Sequence, residues 1–160
     1  MVNRGFTGRG VDPVTAARLP PGQHVTQGFP VLSATPTPAV ALSDWKFTLK
    51  EGSQHIASWS WLEFNQLPRT VWNGDIHCVT SWSKFDTTWE GVSFDDILAA
   101  AGVGELTAFV LAKCYGGYTT NIPTADLVAG KAMVATMYGG RRLQSQHGGP
   151  ARLLVPHLYF

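Results

Sequence analysis

The feature that most constrains this fold is how little room the chain leaves for helix. Pro20-Pro21-Gly22-Gln23 and Thr35-Pro36-Thr37-Pro38 exclude a helical interior, because proline lacks the amide hydrogen and its ring strikes the preceding turn. The clearest helix, Ser93-Phe94-Asp95-Asp96-Ile97-Leu98-Ala99-Ala100-Ala101-Gly102, is short. It has a serine N-cap, acids in its first turn and a glycine stop. A second short helix is read over 59–67, capped by Ser58 or Ser60 and stopped before Pro68. Thr124-Ala125-Asp126-Leu127 could start one helical turn.

The remaining patterned segments read as strands. Trp45-Lys46-Phe47-Thr48-Leu49 alternates apolar and polar. Residues 70–81 read as a strand with a break at Asn73-Gly74, leading into an aromatic loop. Residues 108–112 read as a buried strand, 115–118 as a turn, and 118–123 as a strand running into another turn. Residues 133–138 follow as a strand, Gly139-Gly140 is a hairpin signal, and 152–155 form a last apolar strand. No repeat and no regular βαβ alternation occurs, so the pattern predicts an α+β domain with mixed sheets and short helices. Residues 1–41 read as an extended proline-rich arm. It wraps the domain or lines a pocket, because Phe29, Val31 and Leu32 need burial. Residues 42–160 make up the domain itself.

At 160 residues a single domain can bury a core without disulfides. With 14% charged and 11% aromatic residues the composition argues against disorder, and a net charge of +1 calls for neither nucleic acid nor an anionic membrane. No apolar run approaches the ~20 residues of a membrane span. Residues 1–10 lack the apolar core of a signal peptide, so the cytoplasm is the expected compartment. There Cys78 and Cys114 are expected as free thiols.

Cys78 lies in Asp75-Ile76-His77-Cys78-Val79-Thr80-Ser81-Trp82-Ser83, beside a histidine and among tryptophans, where a thiol could be a soft metal ligand. Structural zinc would want closely spaced Cys or His pairs, and none is present. On one strand, His77 and Cys78 would face opposite sides. The plain alternative for either cysteine is a buried, inert thiol. A cysteine hydrolase using Cys78 and His147 has no local nucleophile motif behind it. Gly139-Gly140-Arg141-Arg142 and His147-Gly148-Gly149-Pro150, with Arg152 close by, offer the N–H groups and guanidinium forks that bind phosphate. The same residues also suit two ordinary turns, and no phosphate-loop or dinucleotide fingerprint accompanies them.

The order of motifs says more than any one of them. After the Cys78 stretch come Trp89-Glu90-Gly91-Val92, then Gly116-Gly117-Tyr118-Thr119-Thr120-Asn121-Ile122-Pro123. The series closes with His147-Gly148-Gly149-Pro150-Ala151-Arg152-Leu153-Leu154-Val155-Pro156-His157-Leu158-Tyr159-Phe160. From about Arg18 onward the chain resembles the sulfite-oxidase-like molybdopterin oxidoreductases. It is nearest the short bacterial branch related to the methionine-sulfoxide reductase catalytic subunit. The resemblance implies that family's molybdopterin-domain fold, with molybdenum held by one molybdopterin dithiolene and one cysteinyl sulfur. Cys78 matches that cysteine, and Arg152 an arginine that binds the cofactor. His147 stands where relatives have a polar cofactor contact, Cys114 near a small hydroxyl residue that touches it, and Gln27 to Val31 at a cofactor-contacting segment. His77 and Tyr118 are implied neighbours of a substrate pocket.

The implied activity is oxygen-atom transfer to or from a small sulfur or nitrogen oxide: sulfite, a sulfoxide or an N-oxide. Without haem-attachment or iron–sulfur motifs, electrons are expected from a separate partner. In the family a lysine-serine segment follows the Val-Pro-x-x-Tyr run and closes over the pterin. This sequence stops at Phe160, so a C-terminally incomplete form is expected. Lys113 and Cys114 also depart from the small polar residues of close relatives. The alternative implied is a non-catalytic paralogue that keeps the fold without cofactor, its edge at 153–160 inviting a partner chain.

Overall fold

A computed structural model describes residues 12–33 and 36–159. The signal-peptide reading of residues 1–10, the arm at 1–11 and 34–35, and Phe160 lie outside the described residues. The spine of the fold is a strand, β5, Trp82–Ser93. Its start reads from sequence as an aromatic loop, yet Thr87, Trp89 and Gly91 point inward in strict alternation with Thr88 and Glu90. Polar Thr87 can face the core because its hydroxyl donates to the Gly74 carbonyl and accepts from the Trp89 indole.

A six-stranded sheet assembles around β5. Strand β4, Thr70–His77, runs antiparallel to it, with a register shift between Gly74 and Ile76 beside the Asn73-Gly74 break. Strand β8, Met133–Tyr138, pairs with the far half of β5. It turns through Gly139-Gly140 into β9, Arg141–Arg142, and carries β10, Arg152–Leu154, on its other edge. Strand β1, His24–Val25, lies parallel to the start of β5. Where β5 meets β8 the backbones nearly touch. A Cβ on Gly91 would sit 2.2 Å from the Val134 carbonyl oxygen.

Two smaller sheets flank this one. Strands β2, Lys46–Glu51, and β3, Gln54–Ser60, form a hairpin. Because Trp59 and Ser60 are spent on pairing with Phe47 and Lys46, helix α2 is shorter than the sequence predicts and covers Trp61–Phe64. Ser60 caps it in a capping box with Glu63. Strands β6, Phe109–Lys113, and β7, Thr119–Pro123, form the other hairpin. The buried strand read at 108–112 is half open instead, with Phe109 65% and Leu111 63% exposed. A two-stranded sheet has only one face to lay on a core, and Val110 and Ile122 take that role beside Phe94 and Leu98.

Helix α3, Phe94–Ala101, is capped by Ser93 and closed by Gly102, as the sequence predicts. The arm is not wholly extended, since α1 spans Pro13–Arg18. The Asp12 side chain accepts from the Val14 and Thr15 amides, and Pro13 sits at the first helical turn. Among the described residues the core falls into three clusters. The one under the candidate site joins Ile76, Cys78, Trp82, Trp89 and Leu154, with Phe29 and Tyr138 packed against it.

Candidate functional site

Cys78 follows β4 directly and opens a tight reversal into β5. The Cys78 amide donates to the Trp82 carbonyl at 2.9 Å, and the Ser81 amide donates to the Cys78 carbonyl at 3.0 Å. Strand alternation carries Ile76 and Cys78 into the same buried cluster. Asp75 and His77 face the other way: Asp75 takes the Arg18 guanidinium, and His77 Nδ1 lies 2.7 Å from Ser83 Oγ. The Arg18 hydrogen bonds hold the Asp75 carboxyl below its usual range. Cys78 is 6% exposed, and its Sγ lies 3.1 Å from the Thr80 hydroxyl.

Arg152 reaches the same region from β10. Its Nη1 donates to the His147 carbonyl at 3.0 Å, its Nε is shut off from solvent, and its guanidinium lies 5.9 Å from the centre of the Trp89 ring. Burial pushes its pKa down to about 10, against an opposing pull from the thiols of Cys114 and Cys78. Trp89 belongs to the same buried cluster as Cys78, and so links the enclosed cation to that thiol. The turn at 147–149 folds tightly over Arg152, and a Cβ on Gly148 would lie 3.0 Å from the Arg152 Cβ.

His147 stacks on Phe29, and burial, then the Arg152 charge, lower its pKa below the ordinary histidine value. Phe29 brings the 27–31 segment to the site, while Gln27 is anchored by a 2.8 Å bond from Lys84 Nζ to its carbonyl. Val31 lies on the surface, 47% exposed. Cys114 is exposed at the β6–β7 turn, where its amide donates to the Tyr118 carbonyl. Tyr118 is 55% exposed. The structure thus links Cys78, Arg152 and His147 through Trp89 and Phe29, the latter from the 27–31 segment. His77 sits on the opposite strand face, with its ring 6.2 Å from Tyr159. Surface clefts beside Arg18 and beside Trp61 contain neither thiol.

The sequence reading misses Gln23, whose side-chain Nε2 donates to the Cys78 carbonyl at 3.0 Å. The signal available for it is the Pro-Pro-Gly turn that ends on it. Among the described residues no group of three or more His, Cys, Asp or Glu side chains comes together to hold a metal ion. One buried soft thiol beside an enclosed guanidinium suits a different guest: a metal already chelated by its own organic ligand, with an anionic group for the arginine. The donor set fits a molybdenum–pterin cofactor. Among the described residues no helix is long and apolar enough to cross a membrane.

Residues 34–160 match the family model of the oxidoreductase molybdopterin binding domain. The chain is 37% identical over 146 residues to an uncharacterized oxidoreductase, YuiH, of Bacillus subtilis (strain 168), covering 91% of this chain and 74% of that protein. Among solved structures it is similar to the sulfane dehydrogenase SoxCD from Paracoccus pantotrophus, with a TM-score of 0.62 at 18% identity over 74% of this chain. That likeness concerns the fold, and the chain spans 35% of that structure's length.

Proposed function

Because the chain belongs to the oxidoreductase molybdopterin binding domain family, we propose that its Cys78 supplies the protein thiolate to a pterin-held molybdenum. The enzyme is an oxidoreductase of the oxygen-atom-transfer type, acting on a small sulfur or nitrogen oxide. The observation that carries the reading is the enclosure of the Arg152 guanidinium beside Trp89, whose ring packs in the same buried cluster as Cys78. An enclosed guanidinium fork is suited to an anionic group of the cofactor. When bound, the cofactor supplies the redox change and the oxo chemistry.

The chain's own residues bind, orient and exclude water. Cys78 presents its sulfur from a turn fixed by backbone bonds on both its amide and its carbonyl. Arg152 takes the anionic phosphate through its guanidinium fork, and its bond to the His147 carbonyl sets the direction of that fork. His147, held toward its neutral form, adds no competing positive charge. Phe29, Trp82 and Trp89 form the dry wall behind the thiol. Cys114 and Tyr118 stand at the exposed rim, open to a small substrate and to a separate electron-transfer partner.

The test is turnover by the cofactor-loaded protein with a reduced dye as electron donor, across sulfoxides and N-oxides, and with an electron acceptor for sulfite. Turnover of at least one class, lost in Cys78→Ser, supports the reading. Equal turnover by Cys78→Ser contradicts it.

A further inference from the structure

We propose that Gln23 is a positioning residue that braces the Cys78 turn and, through Ser83, sets the tautomer of His77. The inference rests on the reading above only in taking Cys78 as the metal-bearing residue. It starts with a turn the sequence dictates. Pro20-Pro21-Gly22-Gln23 has proline at its second position and glycine, at φ +78°, at its third, and the Gln23 amide donates to the Pro20 carbonyl at 3.1 Å. The chain then enters β1 along the Cys78 turn. There the His24 amide donates to the Ser81 carbonyl at 3.0 Å and the Thr26 amide to the Ser83 carbonyl at 2.9 Å. Upstream, Arg18 bonds both Asp75 and Asp86 and lies 4.2 Å from the centre of the Phe85 ring. Gln23 is therefore held on both sides before its side chain does anything.

The side-chain bonds then follow from donor and acceptor chemistry. The Cys78 carbonyl can only accept, so the Gln23 amide group must point its NH₂ there, at 3.0 Å. That leaves Oε1 toward Ser83. Oε1 can only accept, so the Ser83 hydroxyl donates to it, at 3.2 Å. The only hydroxyl hydrogen is now spent. Ser83 Oγ, fully buried and 2.7 Å from His77 Nδ1, must accept from that nitrogen. Neutral His77 is thereby the Nδ1–H tautomer, with Nε2 left as an acceptor. The Cys78 carbonyl, with Ser81 on one lone pair and Gln23 on the other, has its peptide plane fixed from two directions. Ser81 holds a left-handed φ of +70° in that turn, a conformation that needs such support.

The test uses the full chain without cofactor, so its outcome is independent of metal loading. Gln23→Met keeps length and removes both polar atoms. Gln23→Glu keeps the acceptor toward Ser83 and loses the donor toward Cys78. Iodoacetamide labelling, resolved by peptide, reads Cys78 and exposed Cys114 in the same molecules. The expected result is a severalfold rise in the Cys78-to-Cys114 rate ratio in both variants. Nitrogen-15 NMR of neutral His77 should show Nδ1–H in the wild type and in Gln23→Glu, and its loss in Gln23→Met. An unchanged ratio overturns the brace, including when both thiols speed up equally. An Nε2–H tautomer in the wild type overturns the relay. Molybdenum content of Cys78→Ser separately decides whether Cys78 bears the metal.

Discussion

The imidazole of His147 lies flat against the ring of Phe29, with centroids 3.9 Å apart and planes 8° from parallel. This contact ties the N-terminal segment to the turn whose carbonyl, at His147, accepts from Arg152. Phe29 also meets Trp82, Trp89 and Tyr138 edge-on or tilted, so one half-buried ring joins the core below the thiol to the wall above the arginine.

Phe29→Ala should therefore loosen the site as well as the fold. The expected loss is about 2 kcal/mol of stability, less than for a fully buried phenylalanine. Urea unfolding measures it, and pterin retention through gel filtration should fall in the same variant. Phe29→Tyr, which keeps the stack, should retain both.

Gly91 carries a purely steric prediction. A Cβ there would lie 2.2 Å from the Val134 carbonyl oxygen and 2.7 Å from the Ala135 Cα, both backbone atoms with no freedom to swing aside. Gly91→Ala should force β5 and β8 apart and cost about 3 kcal/mol, seen as a lowered thermal midpoint. Gly104→Ala, where a Cβ meets nothing within 4 Å, should leave the midpoint near wild type.

The pH dependence has a defined sign at His147. Burial and the Arg152 charge lower its pKa in the folded chain, so below the ordinary value of 6.5 the unfolded chain binds more protons there. Its contribution to stability is present above pH 6.5 and is lost as pH falls through the folded pKa. Urea midpoints of wild type and His147→Asn, compared between pH 8 and pH 5, should show the wild type losing more on acidification.

Legibility in the sequence follows from where each signal sits. Helix α3 is legible because its cap, Ser93, and its stop, Gly102, flank it directly. Helix α1 has the same kind of local signature in Asp12-Pro13, yet the surrounding prolines and glycines hide it. Strand β5 is hard to read because its inward face is built from Thr87, Trp89 and Gly91, which differ in size and polarity and leave no apolar period. The exposed face of β6 is invisible for the opposite reason. Phe109 and Leu111 look like core, yet they alternate with Val110, which takes the core face of the β6–β7 hairpin with Ile122. At the site, Cys78 and Arg152 stand out through the order of motifs. Gln23 acts across 55 residues of sequence, and the Pro-Pro-Gly turn marks its place without disclosing its partner.

The most direct test of the account is metal and pterin analysis of the wild type, Cys78→Ser and Arg152→Gln, each purified from a host that makes the cofactor. The account predicts molybdenum and pterin in equal amounts in the wild type. It predicts molybdenum lost or loosened in Cys78→Ser with the fold intact by circular dichroism, and pterin depleted in Arg152→Gln. A folded wild type with neither molybdenum nor pterin, or a Cys78→Ser variant that holds both as tightly as the wild type, would contradict it.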